Sequence, residues 1–435
     1  MYLQVIEMAR KVIKFIDLFA GIGGIRLGLE QALKDAGYTP KCVFTSEIKP
    51  AALSVLKQNH PGEEICGDIT QVKVKDIPKF DILCAGFPCQ AFSSAGKRLG
   101  FVDTRGTLFF EVERILEAKK PAGFILENVE GLVNHQKGET LSVIISHLEN
   151  LGYQVNYKVL DASEFGVPQQ RKRIYIVGTF TKKVSLDNFP FKPSVLGDIL
   201  ESGKETCDTE FIRLLLKKFT VEELNGKSIK DKRGGDSNIH SWDLGIKGEV
   251  TKEEADLLNA ILKERRKKKW AAEIGIDWMD GMPLTAKQIA TFYDHPDLQK
   301  MLDHLAELGY VHYEHPKKLV KISNELGESS YRVPDTSKPK GYNIVAGKLS
   351  FEITKILSPN EVAPTLVAMD MQKLYVVDNG GLRRLTLREG LRLCGYPEDY
   401  LFDISEKDGY DLLGNTVVVP VIKAVCERLI KIILK

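Results

Sequence analysis

From about residue 11 to residue 179 the chain alternates short apolar runs with amphipathic stretches, which leaves few folds open to it. Apolar runs at residues 14–19, 42–47, 81–85, 123–127 and 173–178 read as buried strands. Helical spacing at 24–36, 51–59 and 108–118 supplies the crossovers between them. Strands joined by helices predict a doubly wound, mostly parallel α/β sheet. Such sheets bind ligands beyond the carboxyl ends of their strands. Phe19-Ala20-Gly21-Ile22-Gly23-Gly24 follows the first predicted strand, Phe87-Pro88-Cys89-Gln90 the third and Glu127-Asn128-Val129 the fourth. A glycine turn, a nucleophile and an acid at those three ends make an active site the leading expectation.

Each residue also has a plainer reading. A free cysteine is usually a small buried hydrophobe, and Cys84, inside its strand, fits that. Cys89 lies past the strand end, between a proline and a small polar loop, where a thiolate is reactive if a cation or helix N-terminus lowers its pKa. Glu127 serves as a general acid if its pKa is raised. Gln169-Gln170-Arg171-Lys172-Arg173 leads into the last predicted strand, so Arg171 and Arg173 are expected on one face, as an exposed edge or as anion contacts. The glycine turn departs from the dinucleotide fingerprint, with Arg26 at the third glycine position. Glu47 and Asp68 follow at the next two turns, and both acids in order favour an adenosine-type ligand over a plain tight turn.

The regular pattern breaks near Asn188-Phe189-Pro190-Phe191. Beyond it, residues 251–274 read as one long charged helix, and 285–293 and 297–308 as two short helices joined at His295-Pro296. Gly309 ends the second, and 310–314 alternates like a strand. Helix, helix, strand resembles a winged-helix unit. The basic run from Lys263 to Lys269 reads first as a solvated helix face and second as a phosphate contact. Strong patterning returns at 384–393, capped at Thr386, and Gly414-Asn415-Thr416-Val417 opens a final helix. The expected segments are 1–185, 186–380 and 381–435.

With 61 Lys+Arg against 59 Asp+Glu, net charge says little about partners, so any nucleic-acid binder here concentrates its charge locally. Seven dispersed cysteines without a C-x-x-C pair argue against a structural zinc site and suit a reducing cytosol. No apolar stretch is long enough for a bilayer, and the start lacks the features of a signal peptide.

Taken in order, these segments closely resemble the C5-cytosine DNA methyltransferases of bacterial restriction–modification systems. Residues 15–24, Gly86–Gln90, Glu127–Val129, Gln169–Arg173, the 384–397 segment and Gly414–Val417 look like six of that family's motifs, and Pro364-Thr365-Leu366 like a seventh, shorter signal. The resemblance implies a Rossmann-like catalytic domain with a smaller inserted target-recognition domain. It implies S-adenosylmethionine as methyl donor, no metal, double-stranded DNA as substrate and a cognate restriction endonuclease in the same system. It further implies a cytoplasmic, monomeric enzyme. Carried onto this chain, Cys89 adds to C6 of a flipped cytosine and Glu127 protonates N3. Arg173 contacts O2, Arg171 helps position the base, and Asn128 holds the Cys89 loop. Phe19, Gly21, Gly23, Gly24, Glu47, Asp68, Ile69, Pro88, Leu108 and Asn415 form the cofactor site. Gln90, Ser93, Arg171, Arg173 and Thr365 contact DNA. Ile48 stands where many members carry an aromatic residue, and Thr416 where serine is commoner. Proline at position 87 would point instead to tRNA-modifying relatives.

Overall fold

The computed structural model describes residues 11–87, 108–231, 235, 237–279, 281–324, 327–345, 351–368 and 370–434. They divide into two compact units. The first holds residues up to Glu201, Pro359–Gln372 and Leu385 onward; the second holds Ser202–Ser358 and Lys373–Arg384.

The first unit is built on a sheet of seven described strands: β1 (Val12–Leu18), β2 (Thr39–Ser46), β3 (Ile65–Cys66), β4 (Ile82–Ala85), β5 (Gly123–Val129), β6 (Gln154–Asp161) and β7 (Lys172–Thr179). Their order is β3-β2-β1-β4-β5-β7-β6. The pairs from β3 to β5 are parallel, whereas β7 runs antiparallel to both β5 and β6. Helices α1 (Gly24–Asp35), α2 (Pro50–Asn59), α3 (Leu108–Lys119) and α4 (Glu139–Asn150) form crossovers. The C-terminal stretch adds α5 (Leu387–Leu393), α6 (Glu406–Asn415) and α7 (Val419–Ile433).

Strand alternation sorts the core into two layers. Ile13, Phe15 and Ile125 pack with α1 and α7, while Ile16, Leu18, Phe124 and Leu126 pack with α3 and α4. Two strands were not apparent from sequence. β6 is an edge strand with two buried residues, Val155 and Leu160, so its apolar signal is diluted, and β3 is two residues long.

The unit boundaries differ from the segments read from sequence. Leu196 N–H donates to Glu361 O at 2.9 Å and Gly197 N–H to Pro359 O at 2.7 Å. Ala363 N–H donates to Pro168 O, and Gln170 N–H returns to Ala363 O. These backbone bonds hold 186–201 and 359–372 in the first unit, although sequence patterning had grouped them with the insert.

In the second unit, Gly381–Arg384, Leu374–Asp378, Lys355–Leu357, Ser228–Ile229 and Asn238–Ile239 form one sheet. Helices Ala286–Ala290 and Leu298–Glu307 precede strand Val311–Glu314, which pairs antiparallel with Gly341–Ile344. The expected helix over 251–274 is broken into Lys252–Glu264 and Lys269–Glu273. Glu264 O accepts from Lys267 N–H and from Trp270 Nε1, both at 2.9 Å. Arg265 turns inward, 4% exposed, and its guanidinium donates to Asn343 Oδ1 at 2.7 Å. One member of the basic run is therefore a core residue rather than part of a solvated face.

Candidate active site

β1 ends in a sharp turn. Phe19 adopts φ +55°, and Gly21 and Gly23 adopt φ +56° and +74°, a region that favours glycine. Gly24 opens α1 for a different reason. A β-carbon there would lie 2.6 Å from both Tyr396 Oη and Val417 Cγ2. Tyr396 Oη is itself hydrogen-bonded to Thr416 Oγ1 at 2.7 Å, so it cannot retreat freely. Gly24→Ala is expected to destabilise the fold by about 1–3 kcal/mol, read as a lower urea midpoint; an unchanged midpoint would show that this contact relaxes at no cost.

Arg26, at the position where a third glycine was sought, is 5% exposed and grips Glu63 with both terminal nitrogens at 2.6 and 2.8 Å. Such bidentate geometry is a strong charge-assisted contact and ties α1 to the segment after α2.

Around this turn lies a cavity of about 590 Å³. Of the residues expected to hold cofactor, Phe19, Gly21, Glu47, Asp68, Ile69, Leu108 and Asn415 line it, as do Glu127, Asn128, Arg171 and Arg173. Gly23 and Gly24 shape the turn beside it. Pro88, Cys89, Gln90 and Ser93 lie outside the described residues.

Glu47 braces two loops. Its Oε2 accepts from Gly21 N–H at 2.7 Å, and its Oε1 from the amides of Ile48 and Lys49, both at 2.8 Å. Asp68 caps a short 3₁₀ turn by accepting from Thr70 N–H at 2.9 Å. Asn415 donates to Asp411 O at 2.8 Å.

Glu127 is 9% exposed at the end of β5. Arg173 Nε, from the antiparallel neighbour β7, is 3.2 Å from its Oε1. Burial raises the Glu127 pKa above the ordinary carboxylate value, while Arg173 and Arg171 pull it down. The adjacent Asn128 Nδ2 donates to Phe87 O at 2.9 Å, fixing the backbone immediately before Pro88.

Arg171 and Arg173 do not share a task. Arg171 precedes β7, is 2% exposed, and donates to three carbonyls: Leu366 O at 2.8 Å, Gly414 O at 3.0 Å and Thr416 O at 2.6 Å. Strand alternation put the two arginines on one face, but Arg171 lies outside the strand and its guanidinium clamps two returning segments. Thr365 Oγ1, expected to meet DNA, donates to Gln170 O at 2.6 Å. Gln169, singled out only as part of its motif, is fully buried and donates to Leu393 O.

Sequence reasoning missed Asp17, Lys49, Tyr396 and Asp411. Asp17 sits within β1, and a carboxylate inside an otherwise apolar strand was the available signal. Among the described residues, no group of three or more His, Cys, Asp or Glu is placed to hold a metal. None of the described helices is long and apolar enough to cross a membrane.

A doubly wound sheet carries a glycine turn, two acids and a buried glutamate paired with arginine around one cavity, the place where such sheets bind ligands. Comparison with known proteins supplies the class. The family model for C-5 cytosine-specific DNA methylases matches residues 13–431, and the chain belongs to that family. It is thus a DNA cytosine-C5 methyltransferase. The Type II methyltransferase M.NlaIV of Neisseria lactamica is 66% identical over 426 residues, covering 96% of this chain and 99% of the relative. M.BanI of Aneurinibacillus aneurinilyticus is 44% identical over 441 residues, covering 96% and 95%. Among solved structures, a DNA modification methyltransferase encoded in an E. coli prophage aligns over 97% of this chain and 100% of its own, with TM-score 0.54 and 18% identity, a likeness of fold.

Proposed function

We propose that this enzyme methylates C5 of cytosine within one short double-stranded DNA sequence, with S-adenosylmethionine as donor. The observation that carries the reading is the buried, arginine-paired Glu127 opening into the same cavity as the Glu47–Gly21 brace. The cavity fits the donor chemically. Phe19 offers a ring for the adenine, Glu47 and Asp68 offer acceptors for ribose and base edge, and the glycine turn allows close backbone approach.

In the proposed reaction the target cytosine is flipped out of the stack, because C6 cannot be attacked within the duplex. The Cys89 thiolate forms a bond to C6. Glu127 donates a proton to N3, which neutralises the charge that the addition places on the ring. Arg173 binds O2 and holds Glu127 in line. S-adenosylmethionine supplies an electrophilic methyl group to C5. Methyl transfer leaves S-adenosylhomocysteine; C5 then gives its proton to water, N3 returns its proton to Glu127, and elimination at C6 releases Cys89 as the thiolate. Asn128 holds the carbonyl of Phe87, the residue before Pro88 and Cys89 in sequence, and Gln90 and Ser93 are assigned to DNA contact. Arg171 acts as a positioning residue that keeps the Leu366 and Gly414–Thr416 segments in place, with Thr365 beside it.

We assign target recognition to the second unit. The protein acts as a cytoplasmic monomer, in a restriction–modification system whose endonuclease reads the same site. The test is bisulfite sequencing of unmethylated plasmid after incubation with enzyme and S-adenosylmethionine. Protected cytosines at one recurring short sequence are expected. Fully converted DNA from a protein that binds cofactor would overturn DNA as the substrate.

A further inference from the structure

Lys49 and Asp411 form an ion pair although 362 positions apart in sequence. Lys49 is the residue before α2, and Asp411 lies within α6. Both side chains are about 40% exposed, at 39% and 40%. Lys49 lines the 590 Å³ cavity together with its neighbours Glu47 and Ile48. Asp411 accepts from the side-chain amide of Asn415, which also lines the cavity.

The two helices are joined differently at their two ends. At the far end of α2, Gln58 and Asn59 each make reciprocal bonds with backbone: Gln58 with Asp403 at 2.9 and 3.0 Å, Asn59 with Leu401 at 2.8 and 2.9 Å. Those four bonds pin that end. At the cavity end, the side-chain tie that the described residues supply between the Glu47–Lys49 turn and α6 is the Lys49–Asp411 pair. Ile48, 68% exposed, places no ring over the cavity.

We propose that Lys49 and Asp411 are positioning residues that latch this side of the cofactor cavity, so that their pairing governs how fast S-adenosylmethionine and its product S-adenosylhomocysteine leave. The proposal rests on the cofactor reading above. A pinned far end and a charged tie at the near end let Lys49 move against α6, while Glu47 stays anchored by its N–H to Cys66 O in β3 and by its carboxylate to Gly21 N–H. Parting the pair loosens Lys49 and, through Asp411, Asn415, both of which line the cavity. A half-exposed pair is a weak fastener, which suits a site that must empty once per turnover.

The test is the dissociation rate of radiolabelled S-adenosylhomocysteine, chased with excess unlabelled ligand, for wild type, Lys49→Ala, Asp411→Ala, the double variant and Lys49→Arg. Each alanine variant should release ligand roughly two- to fivefold faster, the range an exposed pair supports. The double variant should match the singles, Lys49→Arg should stay near wild type, and roughly 0.5 M NaCl should speed wild type but not the alanine variants. KM for S-adenosylmethionine should rise by the same factor, with a smaller change in the single-turnover rate at saturation. Equal rates in wild type and single variants, or effects that multiply in the double variant, would overturn the latch. A wild-type protein that binds neither ligand would instead remove the cofactor reading, and the latch with it.

Discussion

Glu127→Gln is expected to slow methyl transfer about 100- to 10,000-fold at saturating DNA and S-adenosylmethionine, with cofactor binding retained. Glutamine keeps the shape and one hydrogen-bond donor, but it cannot pass a proton to N3. The glutamate is prepared for that task by its surroundings. It lies at the end of β5, 9% exposed, and burial raises its pKa while Arg173 at 3.2 Å limits the rise. A raised pKa keeps the acid form populated to higher pH than an ordinary carboxyl would. Wild-type transfer should therefore fall on the alkaline side as Glu127 ionises, and the variant should lose that limb of the profile. Single-turnover rates across pH with labelled cofactor provide the measurement. A Glu127→Gln protein that transfers methyl at the wild-type rate would remove the acid from the scheme.

What could be read before the structure follows from how locally each feature is encoded. The buried strands β1, β4 and β5 announced themselves as apolar runs; Glu47 and Glu127 stand out from their neighbours at strand ends, Phe19 and Asn128 only through the family resemblance, and all four line the cavity. Edge strand β6 was lost because solvent takes much of its side-chain surface. The Lys252–Glu264 helix was extended too far because its end is set by Arg265 reaching Asn343 and Trp270 capping Glu264. Arg171 reads from sequence as a ligand contact because its partners, Leu366, Gly414 and Thr416, lie 195 to 245 residues away. Lys49 and Asp411 escaped for the same reason. Long-range polar contacts of this kind leave no periodic trace.

Asp17→Asn is expected to reverse a pH-dependent weakness. Asp17 is fully buried within β1, in phase with Ile13 and Phe15 and so on the layer of α1 and α7. Among the described residues, neither carboxyl oxygen has a hydrogen-bond partner. Burial pushes its pKa up from 3.8 to about 7; Arg26 counters the rise, and Glu47 and Glu30 add to it. The backbone amide of Arg26 helps slightly without reaching bonding geometry. Tyr396 and Tyr400 feel the same carboxyl. For an acid whose folded pKa lies above its unfolded one, the folded state holds the extra proton. Stability is then highest below about pH 4, declines as pH rises toward about 7, and levels off above it, a total cost on the order of 4 kcal/mol. The asparagine variant has no such titration. Its unfolding free energy, relative to wild type, should grow by roughly 2–3 kcal/mol between about pH 5 and pH 8 in urea titrations. A difference that stays constant with pH would mean the carboxyl finds a partner that the folded geometry does not display. The position explains why such a cost is borne. Asp17 stands two residues before Phe19, beneath the turn that Gly24, Tyr396 and Thr416 pack against. Unsatisfied buried charge concentrates where a fold is shaped for a ligand rather than for its own stability.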